Sequence, residues 1–206
     1  MIAVPGFRPF LIVPLALLLT ACSGQPPNYF RLSPDAGATP QPAPGAQTTR
    51  RNGVSVGVGP ITIPEYLDRA EIVTRDGPTG LQINNLNRWG GNLSGNFQVV
   101  LGESLSRQLG TDRIHLFPWT TSDTLRYQVL VQVNGFEAGS DGIVTLDARW
   151  TVLNPGTDSV IRMGRSVLTE PLPQTQDGTP DYSDISAAMS RLVTSLGAEI
   201  ARSGIR

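Results

Sequence analysis

Two stretches, residues 127–134 and 144–152, alternate buried-type and wet-type side chains almost without a break. Tyr127, Val129, Val131 and Val133 alternate with Gln128, Leu130, Gln132 and Asn134; Val144, Leu146, Ala148, Trp150 and Val152 alternate with Thr145, Asp147, Arg149 and Thr151. Successive side chains of a strand point to opposite faces, so both patterns describe strands with one buried and one solvated face. A half-buried sheet needs a cover, and the sequence supplies one. Leu93, Phe97, Val100, Leu101, Leu105 and Leu109 recur at helical spacing, and Ile185, Met189, Leu192, Val193, Leu196 and Ile200 form a second stripe. Gly110 is placed to end the first helix in a left-handed cap and Asp181 to cap the start of the second. Gly95 and Gly102 inside the first helix each cost about 1 kcal/mol relative to Ala, for which close packing on a sheet would be the reason.

Shorter strands complete the pattern. Val54 to Val58 alternates and is expected to stop at Gly59-Pro60. Glu71 to Arg75 and Leu81 to Asn85 flank Asp76-Gly77-Pro78-Thr79-Gly80, which has the composition of a hairpin turn. Asn154-Pro155-Gly156-Thr157-Asp158 turns the chain into Ser159 to Leu168, where Ile161, Met163 and Val167 point one way. The fold class is therefore α+β: an antiparallel or mixed sheet of about six to eight strands with two amphipathic helices packed on one face, most economically as an antiparallel meander.

The beginning of the chain reads as an address. Phe10 to Leu19 is an apolar run after a single charge, Arg8, with Pro14 inside it. A spanning helix needs about 20 apolar residues and this run has roughly half, so a cleaved signal peptide over residues 1–21 fits better. Leu19-Thr20-Ala21-Cys22 looks like the bacterial lipobox, in which a small residue precedes a cysteine whose thiol takes a diacylglyceryl group. Cys22 is the only cysteine, and polar Ser23-Gly24-Gln25 follows at once. Stable anchoring requires two or more lipid signals, which a triacylated Cys22 would provide. Ser23 in the second mature position is compatible with the outer membrane, since the retention signal best known from enteric bacteria is Asp there. That rule varies between bacteria, so an inner-membrane anchor stays open.

Pro34 to Gly53 is a Pro/Ala/Gly/Thr tract that cannot bury enough apolar surface to order itself. Before it lies Asn28-Tyr29-Phe30-Arg31-Leu32-Ser33, a short aromatic stretch with strand character. The tract is either the tether between lipid and domain or, if that stretch pairs with the sheet, a long surface loop behind a tether of residues 22–27.

Charge and residue counts exclude much chemistry. The net charge is -1 and all 16 basic residues are arginines, scattered rather than striped, which argues against nucleic-acid binding. One Cys and one His form neither a disulfide nor a Cys/His metal cage. His115, in Ile114-His115-Leu116-Phe117, reads as a solvated or hydrogen-bonded structural histidine. Gly91-Asn92-Leu93-Ser94-Gly95 has the wrong spacing for a nucleophile elbow, and Gly57-Val58-Gly59-Pro60 lacks the third glycine and an N–H at Pro60 for a phosphate loop. No convergent catalytic groups, cofactor site or metal site are visible, and no enzyme is expected.

The stretch Val56-Gly57-Val58-Gly59-Pro60-Ile61-Thr62-Ile63-Pro64-Glu65-Tyr66-Leu67-Asp68-Arg69-Ala70-Glu71-Ile72-Val73-Thr74-Arg75 closely resembles the PqiC family, the ABC-type transport auxiliary lipoproteins. Other matches fall in the family's order. Asn87-Arg88-Trp89 followed by Leu93 is similar to its entry to the first helix, Leu101 to Gly110 to its L-x-x-x-L-S-x-x-L-G, and Phe117-Pro118-Trp119 to its short strand end; Tyr29-Phe30-Arg31-Leu32 resembles its opening Y-Y-x-L. The resemblance runs from about Cys22 to Ile200. It implies a single domain over residues 28–206 and a non-enzymatic subunit of an intermembrane lipid-transport system, and the opening strand favours the loop reading of residues 34–53. In such systems an inner-membrane ABC and permease complex and MCE-domain proteins carry lipids across the periplasm, with the PqiC-type lipoprotein at the outer membrane. Competing functions are a structural or assembly-factor envelope lipoprotein and a periplasmic lipid-binding carrier. The expectation for oligomeric state is self-association through edge strands or the surface left by the helix cover.

Tyr66-Leu67-Asp68-Arg69 has two readings. In the first it is a buried turn, with Tyr66 and Leu67 filling the core edge and Asp68 and Arg69 pairing or capping locally. In the second it contacts a partner. Trp89, Trp119 and Trp150 are expected as core or rim packing rather than a lipid groove.

Overall fold

The structure is a computed structural model that describes residues 25–34, 54–119, 125–173 and 181–205. The expected signal peptide, Cys22 and the low-complexity tract beyond residue 34 lie outside the described residues. The elements in chain order are β1 (Asn28–Phe30), β2 (Val56–Thr62), β3 (Glu71–Asp76), β4 (Gly80–Trp89), α1 (Leu93–Leu109), β5 (Ile114–Leu116), β6 (Tyr127–Gly139), β7 (Ile143–Asn154), β8 (Ser159–Pro171) and α2 (Tyr182–Arg202). The eight strands form one mixed sheet that curls into half a barrel, and the two helices make the class α+β.

Strand β6 organises the sheet. One edge pairs antiparallel with β7 from Gln128↔Leu153 to Ala138↔Val144, and β7 pairs antiparallel with β8. The other edge is shared: β2 runs parallel to its first half, Val56↔Tyr127 to Thr62↔Gln132, and β3 parallel to its end, Thr74↔Ala138 and Arg75↔Gly139. The antiparallel meander therefore holds for β6–β7–β8 and for the β3–β4 hairpin. Elsewhere it fails, because β1 pairs parallel with β4 and β5 parallel with β2. Each of these pairs is joined by a long connection, through β2 and β3 for β1 and β4 and through the β3–β4 hairpin and α1 for β2 and β5, which lets the chain return in its original direction as a tight hairpin cannot.

Strand β2 also departs from its expected end at Gly59-Pro60. It continues to Thr62, and its register on β6 shifts between Val58 and Ile61. Proline has no N–H for the ladder, and an irregularity in the pairing is where a strand accommodates one.

The helices cover the face where the alternating apolar residues converge. Phe97, Val100, Leu101 and Leu105 of α1 and Ile185, Met189, Leu192 and Leu196 of α2 are buried with Val129, Val131, Val144, Leu146, Ala148 and Val152 of the sheet. The Phe97 and Phe136 rings meet edge to face at 5.6 Å. The ends of both helices follow from the sequence. Gly110 takes φ 61° at the end of α1, and Asp181 accepts from the Ser183 N–H at 2.7 Å at the start of α2. Asn92 caps α1 by accepting from Gly95 N at 3.0 Å. Gly102 admits Leu116 and Ile114 of β5 against the helix, as the close-packing argument expects; Gly95 instead leaves room for the capping side chain of Asn92.

Candidate docking turn

The chain leaves β6 at the end of β2 and returns to it at β3, so residues 63–70 are an excursion over the edge of one strand. Opposite the excursion β6 is irregular: its register on β7 shifts between Val133 and Gly135. That extra residue flips the alternation. Phe136 and Ala138 now enter the core, and Glu137 projects from the other face.

Glu137 is only 4% exposed, yet it is fully engaged. Its Oε2 accepts from the Tyr66 hydroxyl at 3.1 Å and from the Phe136 N–H at 2.6 Å, and its Oε1 pairs with the Arg75 guanidinium. A buried carboxylate requires such donors, because desolvation without them would be costly. Burial and the adjacent Glu137 carboxylate push the Tyr66 phenol up to about 12, so it stays a donor throughout the physiological range. Glu137 also raises the affinity of Arg75 for its proton, through the hydrogen bond and the charge together.

The rest of the turn follows. Leu67 and Asp68 each donate their N–H to Pro64 O, at 2.9 and 3.1 Å, and Leu67 is buried in the core. Asp68 and Arg69 face solvent. Arg69 donates to Glu71 at 3.0 Å, and Arg88 pairs with the other oxygen of the same carboxylate at 3.0 Å. These donors, the Arg69 hydrogen bond first, hold the Glu71 carboxyl below the usual carboxylate range. Beside this ion cluster is an open depression of about 330 Å³ lined by Asp68, Arg69, Ala70, Trp89, Gly91 and Asn92.

The structure thus places Tyr66 and Leu67 inward, Arg69 in a local ion pair and Asp68 outward. Glu137, which organises the turn, escapes a sequence reading because acidic residues in strands are assigned to wet faces. The one available signal is the loss of strict alternation at Gly135.

The tryptophans pack as expected. Trp89 and Trp150 are buried; Trp150 lies over Gly164 and donates Nε1–H to Ser166 Oγ at 2.9 Å. Trp119 stacks over Gly57 and meets Phe117 edge to face at 5.3 Å. His115 is exposed on β5. Among the described residues, no three His, Cys, Asp or Glu converge on a metal-sized site, and no helix is long and apolar enough to cross a membrane.

Large apolar side chains are exposed near two edges of the sheet. Tyr29 on β1 and Leu81, Ile83 and Leu86 on β4 form one group; Val160, Ile161, Met163 and Val167 on β8 form the other.

Among curated proteins none matches this sequence. Solved structures do share the fold. One, an uncharacterized protein, superposes with a TM-score of 0.63 at 19% identity over 86% of this chain and 98% of its own. Another, a Xanthomonas campestris protein of the DUF330 family, has a TM-score of 0.62 at 15% identity over 84% of this chain and 92% of its own. The model of the ABC-type transport auxiliary lipoprotein component family matches residues 37–201, which include the whole sheet except β1, the turn at residues 63–70 and nearly all of α2. The chain belongs to this family of lipoproteins that serve ABC-type transport systems.

Proposed function

We propose that this chain is a non-enzymatic, lipid-anchored subunit that docks the periplasmic MCE component of an intermembrane lipid-transport system at the outer membrane and so supports envelope integrity. The observation that carries the reading is the position of its one cysteine. Cys22 ends a lipobox-like sequence six residues before β1, and the rest of the chain is the family's transport auxiliary module. Signal peptidase would cleave before Cys22, and acylation would hold residues 28–206 at the periplasmic face, with residues 22–27 as tether. A division of labour within the turn supports the reading: Tyr66 hydrogen-bonds Glu137 and Leu67 is buried, while Asp68, Arg69 and the rim of the adjacent depression face solvent, and we assign the partner contact to these outward groups.

The test is metabolic labelling with palmitate, followed by purification from membranes. The wild-type chain incorporates label, loses residues 1–21 and brings down an MCE-domain protein. Cys22→Ser accumulates as a larger unlabelled precursor. Normal processing and membrane retention of that variant would end the lipoprotein reading, and an acylated chain that never recovers an MCE protein would favour a structural envelope lipoprotein.

Self-association is a separate part of the reading, supported by β8. Among the described residues that strand pairs only with β7, and it exposes Val160, Ile161, Met163 and Val167; an unpaired edge with apolar side chains favours pairing with a second copy. Analytical ultracentrifugation of the soluble part beside crosslinking in intact membranes tests it; monomer in both would refute it.

A further inference from the structure

We infer that the outer surface of β1 and β4, carrying Tyr29, Ile83 and Leu86, lies on the lipid bilayer next to the anchor. This rests on acylation of Cys22. Five residues separate Cys22 from Asn28, so the reach between the two is at most about 22 Å even when fully extended. Pro26 and Pro27 lie within that short segment and limit how it folds back. Surface within that reach of the start of β1 is therefore held near the headgroups, whatever the partner does.

The residues there suit an interface. Tyr29 is 65% exposed, and its register partner on β4 is Arg88, so both project from the face opposite Phe30 and the buried Trp89. Ile83 and Leu81 project from that same face, because their partners on β3 are Val73 and Arg75, in phase with Glu71, which pairs with Arg88. Leu86 is exposed in the irregular stretch between them, where the β3–β4 register shifts. Aromatic side chains with a polar tip favour the membrane–water boundary, and scattered apolar side chains can enter it without spanning it. The β8 group is at the opposite end of the strand order, so a bilayer under β1 and β4 leaves that edge free for protein contacts.

The experiment uses the full-length, acylated chain purified from membranes and reconstituted in vesicles of phosphatidylethanolamine and phosphatidylglycerol. Acylation consumes the thiol of Cys22, so a cysteine introduced by Leu86→Cys, Ile83→Cys or Met163→Cys is the only site for a polarity-sensitive fluorophore. Intact mass establishes acylation of each sample. We expect blue-shifted emission at positions 83 and 86, with quenching by nitroxide-headgroup lipids several-fold stronger there than at position 163. An acylated chain whose labels at 83 and 86 remain as water-exposed as the one at 163 would overturn the surface assignment alone. A membrane-purified chain whose mass carries no acyl group would overturn the anchoring reading and this inference with it.

Discussion

Replacing Tyr66 by Phe removes one hydroxyl and leaves the ring in place, so its cost reads the bond to Glu137 almost in isolation. A hydrogen bond to a charged group contributes about 1.5–3 kcal/mol net. Glu137 is buried, which favours the upper part of that range, but its carboxylate keeps the Phe136 N–H and Arg75 as donors, which favours the lower part. The expected loss is about 1.5–2 kcal/mol, or a fall in Tm of about 3–8 °C for a domain of this size. Urea denaturation should show a lower midpoint with an unchanged slope, since the folded core is untouched. Combining Tyr66→Phe with Glu137→Gln tests the assignment of the partner. If the hydroxyl acts through the carboxylate, the effects are non-additive by about 1 kcal/mol, as expected for residues in direct contact. A Tyr66→Phe variant as stable as the wild type, or strictly additive effects in the double variant, would show that the turn is not held by this bond.

Further predictions concern pH, the core and a cap. Tyr66 ionises near 12 in the folded chain against about 10 when unfolded, so above pH 10 the unfolded state loses a proton that the folded state keeps. Stability should therefore be unaffected by this group below pH 10 and decline as pH rises toward 12; denaturation midpoints across that range should fall less in Tyr66→Phe. Leu101 is fully buried on α1, and Leu101→Ala should cost about 2–5 kcal/mol by chemical denaturation. Gly110→Ala has open space for its Cβ but keeps a left-handed φ of 61°, so a loss of about 1–2 kcal/mol is expected from backbone conformation alone.

Local periodicity made most of the elements legible. The stripes of α1 and α2 and the alternation of β6 and β7 each bury many side chains on one side, and burial of that extent imposes its period on the sequence. The caps at Gly110 and Asp181 were legible for the same reason: a left-handed φ and an unpaired helix N–H each call for particular residue types. The parallel pairings of β1, β2, β3 and β5 were not, since a strand's pattern reports which face is buried and not the direction of its neighbour. Pro60 was misread because its missing N–H argues for the end of a strand as well as for the irregularity in β2 that absorbs it. At the turn of residues 63–70 the sequence suggested the inward role of Tyr66 and Leu67 and the local pairing of Arg69, but the residue that binds the turn lies 71 positions away. A lone Glu137 carries no mark of burial until the register shift at Gly135 has turned it to the side that Tyr66 covers.

The proposed function has this lipoprotein serve an MCE-type lipid-transport system from a bilayer surface. The most direct measurement is affinity purification of the chain, produced at its natural level with Cys22 intact, from detergent-solubilised envelopes, followed by identification of the retained proteins. Stoichiometric recovery of an MCE-domain protein is expected, weakened by Asp68→Arg while folding and acylation are preserved. Recovery of fully acylated, folded chain without any MCE-domain protein would contradict the proposed function.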